Sequence, residues 1–312
     1  MTGIDEIPPI GGELAHVGRR TRIDSLIVGK AGELPISARA PLFLRSLGAT
    51  GSGRSFALLA LVEQVLQKGG AVLWVDSRYH ARVVTALRRM AARQRVQYAR
   101  TTDFLRGDEA VVETITTRGG IGHCVPERDA AESGHLQQLT RLRMAGVLHA
   151  LTERASASAH SLLIIFNQTV AAYEGRAIGL GGLPARLRSV GHSVIFSDTS
   201  IGNDALDVAA QARQFLFHRL EGEQPTRLAT SMVPGVAPAL RAAADWRGID
   251  GAEAMAKQIP LLVDEYGVFC ADGHWTLIKT ATPSLYGTRA ATATPSTEHQ
   301  SLKSAQECVE SA

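Results

Sequence analysis

Cysteine, aromatic residues and long apolar runs are all scarce in this chain, and each shortage removes a class of explanation. Cys124, Cys270 and Cys308 lie far apart and form no C-x-x-C pair, which argues against a zinc site and a disulfide framework and suits a reducing compartment. Histidines are scattered without H-E-x-x-H or similar ligand spacing. No window approaches the ~18 uninterrupted apolar residues that a membrane span requires. Met1 to Ile10 carries Asp5 and Glu6 where a signal peptide would have its apolar core. The expectation is a cytoplasmic protein with no membrane span of its own. The formal charge of +3 is too mild to argue for nucleic acid by itself. Basic residues are grouped at Arg19, Arg20 and Arg22 and again at Arg88, Arg89, Arg93, Arg95 and Arg100. A solvated helix face accounts for the second group better than a DNA contact does. With aromatics at 5%, the core has to be built from Leu, Val, Ile and Ala.

What is present is an alternation of apolar strands and helices without internal repeats. Residues 1–37 read as an N-terminal arm with short strands, including Ser25-Leu26-Ile27-Val28-Gly29. Residues 38–281 read as one α/β domain, and from 282 to 312 the Ala, Thr, Ser, Pro and Gln composition predicts a disordered C-terminal tail. Strands are expected at Ala71–Asp76, Ser161–Phe166, Ser193–Phe196 and Arg213–His218. Helices are expected after Ser55 up to the Lys68-Gly69-Gly70 stop, from about His80 to Gln94, from about Gly134 to Ala155 and over Pro184–Val190. In the third of these, Leu136, Leu139, Leu142, Val147, Leu148 and Leu151 are the buried candidates. Val111–Ile115 reads as a short strand on β-propensity, and Arg118–Gly122 as a loop. Strands alternating with helices imply a mainly parallel sheet covered on both faces.

The most informative stretch is Gly48-Ala49-Thr50-Gly51-Ser52-Gly53-Arg54-Ser55. It matches the phosphate-cradling pattern G-x-x-x-x-G-K-[S/T] at every fixed position but one, where Arg54 replaces lysine. An apolar segment leads into it and a strongly apolar helical run follows. Such a loop needs glycines so that N–H groups can turn inward on an anion, and a helix start behind them to favour negative charge. Gly48, Thr50, Gly51, Ser52, Gly53, Arg54 and Ser55 are therefore the candidate phosphate contacts for ATP, with Ser55 the candidate Mg²⁺ ligand. Arginine keeps the charge but presents a planar fork on a longer arm, so it is not an equivalent phosphate ligand.

A hydrolysing site of this kind also needs a strand ending in Asp-Glu, the first for the Mg²⁺ shell and the second to orient water. The strand in that place ends Ile165-Phe166-Asn167-Gln168. Amides of nearly the same shape stand at both carboxylate positions; they cannot take a proton or balance a divalent cation.

The order of motifs resembles the FtsK/HerA-like DNA-pumping ATPases, most closely the type IV coupling proteins of conjugation and secretion. The resemblance covers about residues 38 to 281. It runs through the phosphate loop, the strand ending in Asp76, the Asn167-Gln168 strand end, Arg188-Ser189-Val190-Gly191, the strand ending in Asp198, and Phe215 to Thr226. It implies a P-loop NTPase fold of the RecA/FtsK type. It also implies a role with DNA in a transfer or type IV secretion machine, in a ring or beside an active ATPase. Localisation would be peripheral at the inner membrane through partners, and Arg188 would reach a neighbour's nucleotide. The chain departs from the pattern at Arg54, Asn167, Gln168 and Asp198. The expectation is a degenerate subunit that binds nucleotide weakly and does not hydrolyse it; the alternative is an active ATP-dependent DNA-translocation or coupling ATPase working as a ring.

Overall fold

The structure, a computed structural model, describes residues 5–7, 22–104, 106–128, 136–169, 183–199, 212–222, 262, 265–271 and 274–286. Its strands are β1 (Asp5–Ile7), β2 (Ser25–Ala31), β3 (Leu34–Arg39), β4 (Phe43–Leu47), β5 (Ala71–Asp76), β6 (Tyr98–Thr101), β7 (Ile121–Cys124), β8 (Leu162–Asn167), β9 (Ser193–Asp198), β10 (Gln214–Phe217), β11 (Tyr266–Ala271) and β12 (His274–Thr280). The helices are α1 (Arg54–Gln67), α2 (Ala81–Gln94), α3 (Arg106–Arg118), α4 (Leu136–Arg154) and α5 (Leu183–Ser189).

All the described strands lie in one sheet, in the order β1-β6-β7-β5-β8-β9-β4-β10-β11-β12-β2-β3. The strands from β6 to β10 in that order are parallel, and antiparallel strands extend the sheet at both ends. The mainly parallel α/β sheet expected from the sequence is what forms.

The helices divide between the two faces for a chiral reason. Crossovers between parallel strands are right-handed, so reversing the direction of travel along the sheet moves the helix to the other face. The steps β4 to β5 and β5 to β6 run toward the β1 edge, and α1 and α2 share one face. The steps β6 to β7, β7 to β8 and β8 to β9 run back, and α3, α4 and α5 share the other. The core follows the period-2 alternation of the strands. Val72 and Trp74 of β5, with Leu163, Ile165 and Ile195, pack beneath Leu61, Val62, Leu87 and Met90. Leu73 and Val75, with Ile164, Phe166 and Phe196, pack against Val111, Ile115, Val147, Leu151 and Leu187.

Three local expectations are corrected. Val111–Ile115 lies within α3, not in a strand. Val111, Val112 and Ile115 fall at i, i+1 and i+4 on one buried helix face, and that packing overrides β-propensity. The Arg118–Gly122 segment is only partly a loop: Gly119 and Gly120 make the turn at positive φ, and β7 begins at Ile121. Leu142 of α4 is 42% exposed instead of buried. Its neighbour Arg143 takes the inner face, donating to buried Asp108 at 3.1 and 3.3 Å and lying 4.3 Å from the Phe104 ring centroid.

The described part of the arm joins the sheet. β1 pairs with β6 at one edge, and β2 with β12 near the other. The β2–β3 register shifts between Ile27 and Gly29, and the Gln64 amide of α1 pairs with both backbone groups of Ile27, at 2.8 and 2.9 Å. At the far end, residues 282–286 pack on α1 and α2, where the Ser284 amide donates to Glu63 at 2.7 Å. Residues 287–312 lie outside the described residues.

Candidate functional site

Parallel strands end on one edge, so the topology gathers the ends of β5, β8, β9, β4 and β10. The phosphate loop follows β4, which sends the chain one way across the sheet while β10 lies on its other side. Such a reversal at the carboxyl edge of an open sheet leaves a crevice where ligands bind.

Within the loop, Gly51 and Gly53 hold φ of +83° and +82°, a region that strains any residue with a Cβ. Gly48 is required for a different reason: a Cβ there would stand 2.5 Å from Ser52 Oγ and 2.6 Å from His218 Cβ. The loop is anchored at its start, Gly48 donating to the Asp198 carbonyl at 3.2 Å and Ala49 to that of Arg219 at 2.8 Å. The Ser52 amide turns back to the Ala49 carbonyl at 3.2 Å. The amides of Thr50, Gly51, Gly53, Arg54 and Ser55 enter no backbone hydrogen bond among the described residues. Gly53 caps α1 without a side-chain cap. Five amides around a helix start, with its positive dipole end, fit the oxygens of a phosphate chain.

Arg54 does not extend into this cradle. Its guanidinium is buried and donates to the Gly48 carbonyl at 2.7 Å. Burial lowers its pKa to about 10, opposed by the carboxylate of Asp198 at the end of β9, so it remains charged at neutral pH. Asp198 also acts on buried Arg45 of β4, whose pKa burial lowers as well. The charge of Arg54 is thus balanced inside the protein. His218, just after β10, is fully buried, with the Ser52 backbone beside its ring. Burial, reinforced by Arg54, pushes its pKa down to about 3.

Asn167 and Gln168 lie on the same edge as the loop, at the end of β8. They are not on the strand next to β4: β9 is inserted between. Strands are ~4.8 Å apart, so β8 stands roughly 10 Å from β4. Asn167 is buried, and its amide donates to Asp76 Oδ1 at 2.6 Å, a contact set by the direct register of Asp76 with Asn167. Asp76 Oδ2 lies 2.9 Å from His123 Nε2, and His123 Nδ1 lies 2.9 Å from the Tyr98 hydroxyl. Burial lowers the His123 pKa despite Asp76, so the ring is neutral. The donors then assign themselves: Tyr98 O–H to Nδ1, Nε2–H to Asp76, and Asn167 N–H to Asp76. Both oxygens of the carboxylate are engaged. Gln168 follows at φ +57°, a left-handed conformation uncommon for a side chain of its size.

Asn167, Ser197 and Ser46 are side by side in register, all buried, and Asn167 Oδ1 and both hydroxyls lack partners among the described residues. Ser55 is half-buried in the first turn of α1. Arg188 is in α5, which leads into the start of β9, and so sits at the opposite edge from the loop. The sequence pointed to Asp76 as a strand end but not to His123, Tyr98 or His218, whose roles arise only from cross-strand register. Among the described residues there is no group of three His, Cys, Asp or Glu fit for a metal ion.

No protein-family profile matches the chain, and no curated protein sequence matches it. Solved structures do. The genome packaging NTPase B204 from Sulfolobus turreted icosahedral virus 2, in complex with AMP, is 10% identical, with 77% of this chain and 97% of that one covered and a TM-score of 0.47. VirB4 of Thermoanaerobacter pseudethanolicus is 12% identical, over 86% of this chain and 99% of that one, at a TM-score of 0.48. The pCW3 conjugation coupling protein TcpA, with ATPγS, is 12% identical, over 86% and 71%, at a TM-score of 0.42. The chain is similar to these proteins; what its own site does follows from the residues above.

Two outcomes are expected. Asn167→Asp puts a second carboxyl against Asp76, and two carboxylates at such a distance cannot both ionise. The folded protein must then take up a proton, on a carboxyl or on His123. Its destabilisation grows as pH rises above about 4 and reaches about 2–4 kcal/mol at pH 7. Urea titrations at pH 5 and 7 measure this, and equal losses at both would contradict it. His218 binds a proton only when unfolded, so it contributes stability above pH ~6.5 that is lost as pH falls toward 3. His218→Phe should flatten the stability profile between pH 6.5 and 4.5, and an unchanged slope would show that the ring is not held neutral.

Proposed function

We propose that this chain is a degenerate P-loop ATPase-like subunit of a DNA-transfer or type IV secretion machine, which binds nucleotide weakly through Gly48–Ser55 and does not hydrolyse it. The observation that carries the reading is the inward turn of Arg54. A loop that keeps its glycines and its helix start has kept the means to bind phosphate. A cation donating to the loop's own carbonyl at 2.7 Å has been withdrawn from the ligand.

ATP, when bound, would bring its phosphates to the amides of Thr50, Gly51, Gly53, Arg54 and Ser55, and magnesium ordinarily adds charge neutralisation in such sites. The residues present do not suit the metal. Ser55 and Asn167 are neutral, Asp76 has both oxygens occupied, and Asp198 faces the charges of Arg45 and Arg54. Gln168 carries no carboxylate to receive a proton from water. Restoring Lys at position 54 with Asp at 167 and Glu at 168 would not rebuild the site, because Asp76 already occupies the ground that the new carboxylate needs.

The machine is inferred from the order of motifs, and the similar packaging and conjugation proteins are consistent with it. No described helix is long and apolar enough to cross a membrane. In this reading the subunit acts in the cytoplasm, held to DNA-handling or secretion partners and regulated by nucleotide occupancy, while a partner ATPase performs turnover.

Calorimetry tests the binding half. ATP should bind with a Kd in the micromolar-to-millimolar range (about −8 to −4 kcal/mol) and should change less than about threefold when magnesium is replaced by a chelator. Tightening by more than about tenfold on adding magnesium, or no heat of binding at all, would contradict the proposal.

A further inference from the structure

We infer that a cleft at the amino edge of the sheet, opposite the phosphate loop, is a second anion site that takes a phosphate or phosphodiester group between Arg39, Arg188 and Arg213.

The cleft has a volume of about 240 Å³ and is lined by Arg39, Ala40, Pro41, Phe43, Arg188, Arg213 and Gln214. Its position follows from the fold. Phe43 opens β4 and Gln214 opens β10, paired in parallel, and the Arg213 amide donates to the Phe43 carbonyl at 3.3 Å. Arg39 closes β3, and α5 brings Arg188 in from the far side. The five residues of β4, at ~3.3 Å each, put roughly 17 Å of sheet between this cleft and the phosphate loop. The two sites are separate, and this inference does not rest on the reading of the loop.

Three arginines line the cleft without an acidic residue among them, and Arg188 and Arg213 lie close enough to repel one another. None of the three forms an ion pair among the described residues, although the surface elsewhere pairs its charges readily. Arg188 Nε is buried without a hydrogen-bond partner among the described residues. The guanidinium of Arg188 is held below its ordinary pKa by burial and by the proximity of Arg213. Like charges brought together and partly desolvated cost free energy unless an anion joins them. Guanidinium forks match phosphate oxygens two at a time, which selects phosphate over a small halide. Pro41 and Phe43 add apolar surface to the lining, and Gln214 donates to the Arg39 carbonyl at 3.3 Å. Its Oε1 is buried without a partner among the described residues, an acceptor for a hydroxyl or water beside the phosphate. A sugar–phosphate backbone and a free phosphate both offer this chemistry.

The test compares the full chain with Arg188→Gln/Arg213→Gln, using pyrophosphate calorimetry and the fluorescence anisotropy of a labelled single-stranded 20-mer. Arg39→Gln, at an exposed strand end, serves as a second variant, and thermal melting verifies folding. At least tenfold weaker binding of one probe is expected. For the strand, the slope of log affinity against log salt should also fall by about 1 to 1.5, at ~0.7 per lost phosphate contact. A loss confined to the strand identifies a phosphodiester ligand, and a loss confined to pyrophosphate identifies a free phosphate. With both sites working, pyrophosphate stoichiometry falls from two per chain to one in the double variant; with the phosphate loop inert, it falls from one to none. Unchanged affinity for both probes in both variants, or no binding of either probe by the unmodified chain, overturns the inference.

Discussion

The hydrogen bond from the Arg54 guanidinium to the Gly48 carbonyl determines what the phosphate loop can do. It joins the two ends of the loop, and it brings a full positive charge into the protein beside Asp198 and His218. The neighbours depend on it. Asp198 can be buried because Arg54 and Arg45 balance it, and His218 stays neutral because burial, reinforced by Arg54, disfavours a second cation there. The close approach of Gly48 to His218 and Ser52 shapes the same corner. A lysine of the ordinary pattern, with one compact ammonium, could not span this arrangement as a planar fork does. The arginine is therefore built into the loop, and in the proposed reading anion binding falls to the backbone amides and the helix start.

A second buried arrangement accounts for the other departures. Asp76, Asn167, His123 and Tyr98 form a continuous line of hydrogen bonds across four strands. An amide at position 167 completes that line, whereas a carboxylate would break it. In the proposed reading, the amides at the end of β8 are thus not isolated substitutions in an otherwise catalytic site. The surroundings have been fitted to the neutral residue, which is how a buried polar network comes to specify one side chain and exclude its isostere.

Features that local sequence encodes were legible in advance. The glycines of the loop announce their backbone conformation, the runs at β5, β8 and β9 announce buried parallel strands, and Gly69-Gly70 announces the end of α1. The misread segments are those where local preference and packing disagree. Val111, Val112 and Ile115 look like a strand until α4 packs on them, and four-residue strands such as β6 and β7 leave too little pattern to recognise. The inserted β9 follows from the topology of the whole sheet. The inward turn of Arg54 depends on Asp198 and His218, and the commitment of Asn167 on Asp76, partners brought in by register from distant parts of the chain.

The central claim is that this site retains a phosphate cradle without the charges that turn a nucleotide over. Steady-state ATP hydrolysis by the purified chain with magnesium present tests it most directly. The account predicts a rate below about 0.01 s⁻¹, far under the ~10 s⁻¹ typical of enzymes. A rate near 1 s⁻¹ would contradict it, since Arg54, Asn167 and Gln168 would then be sufficient for catalysis.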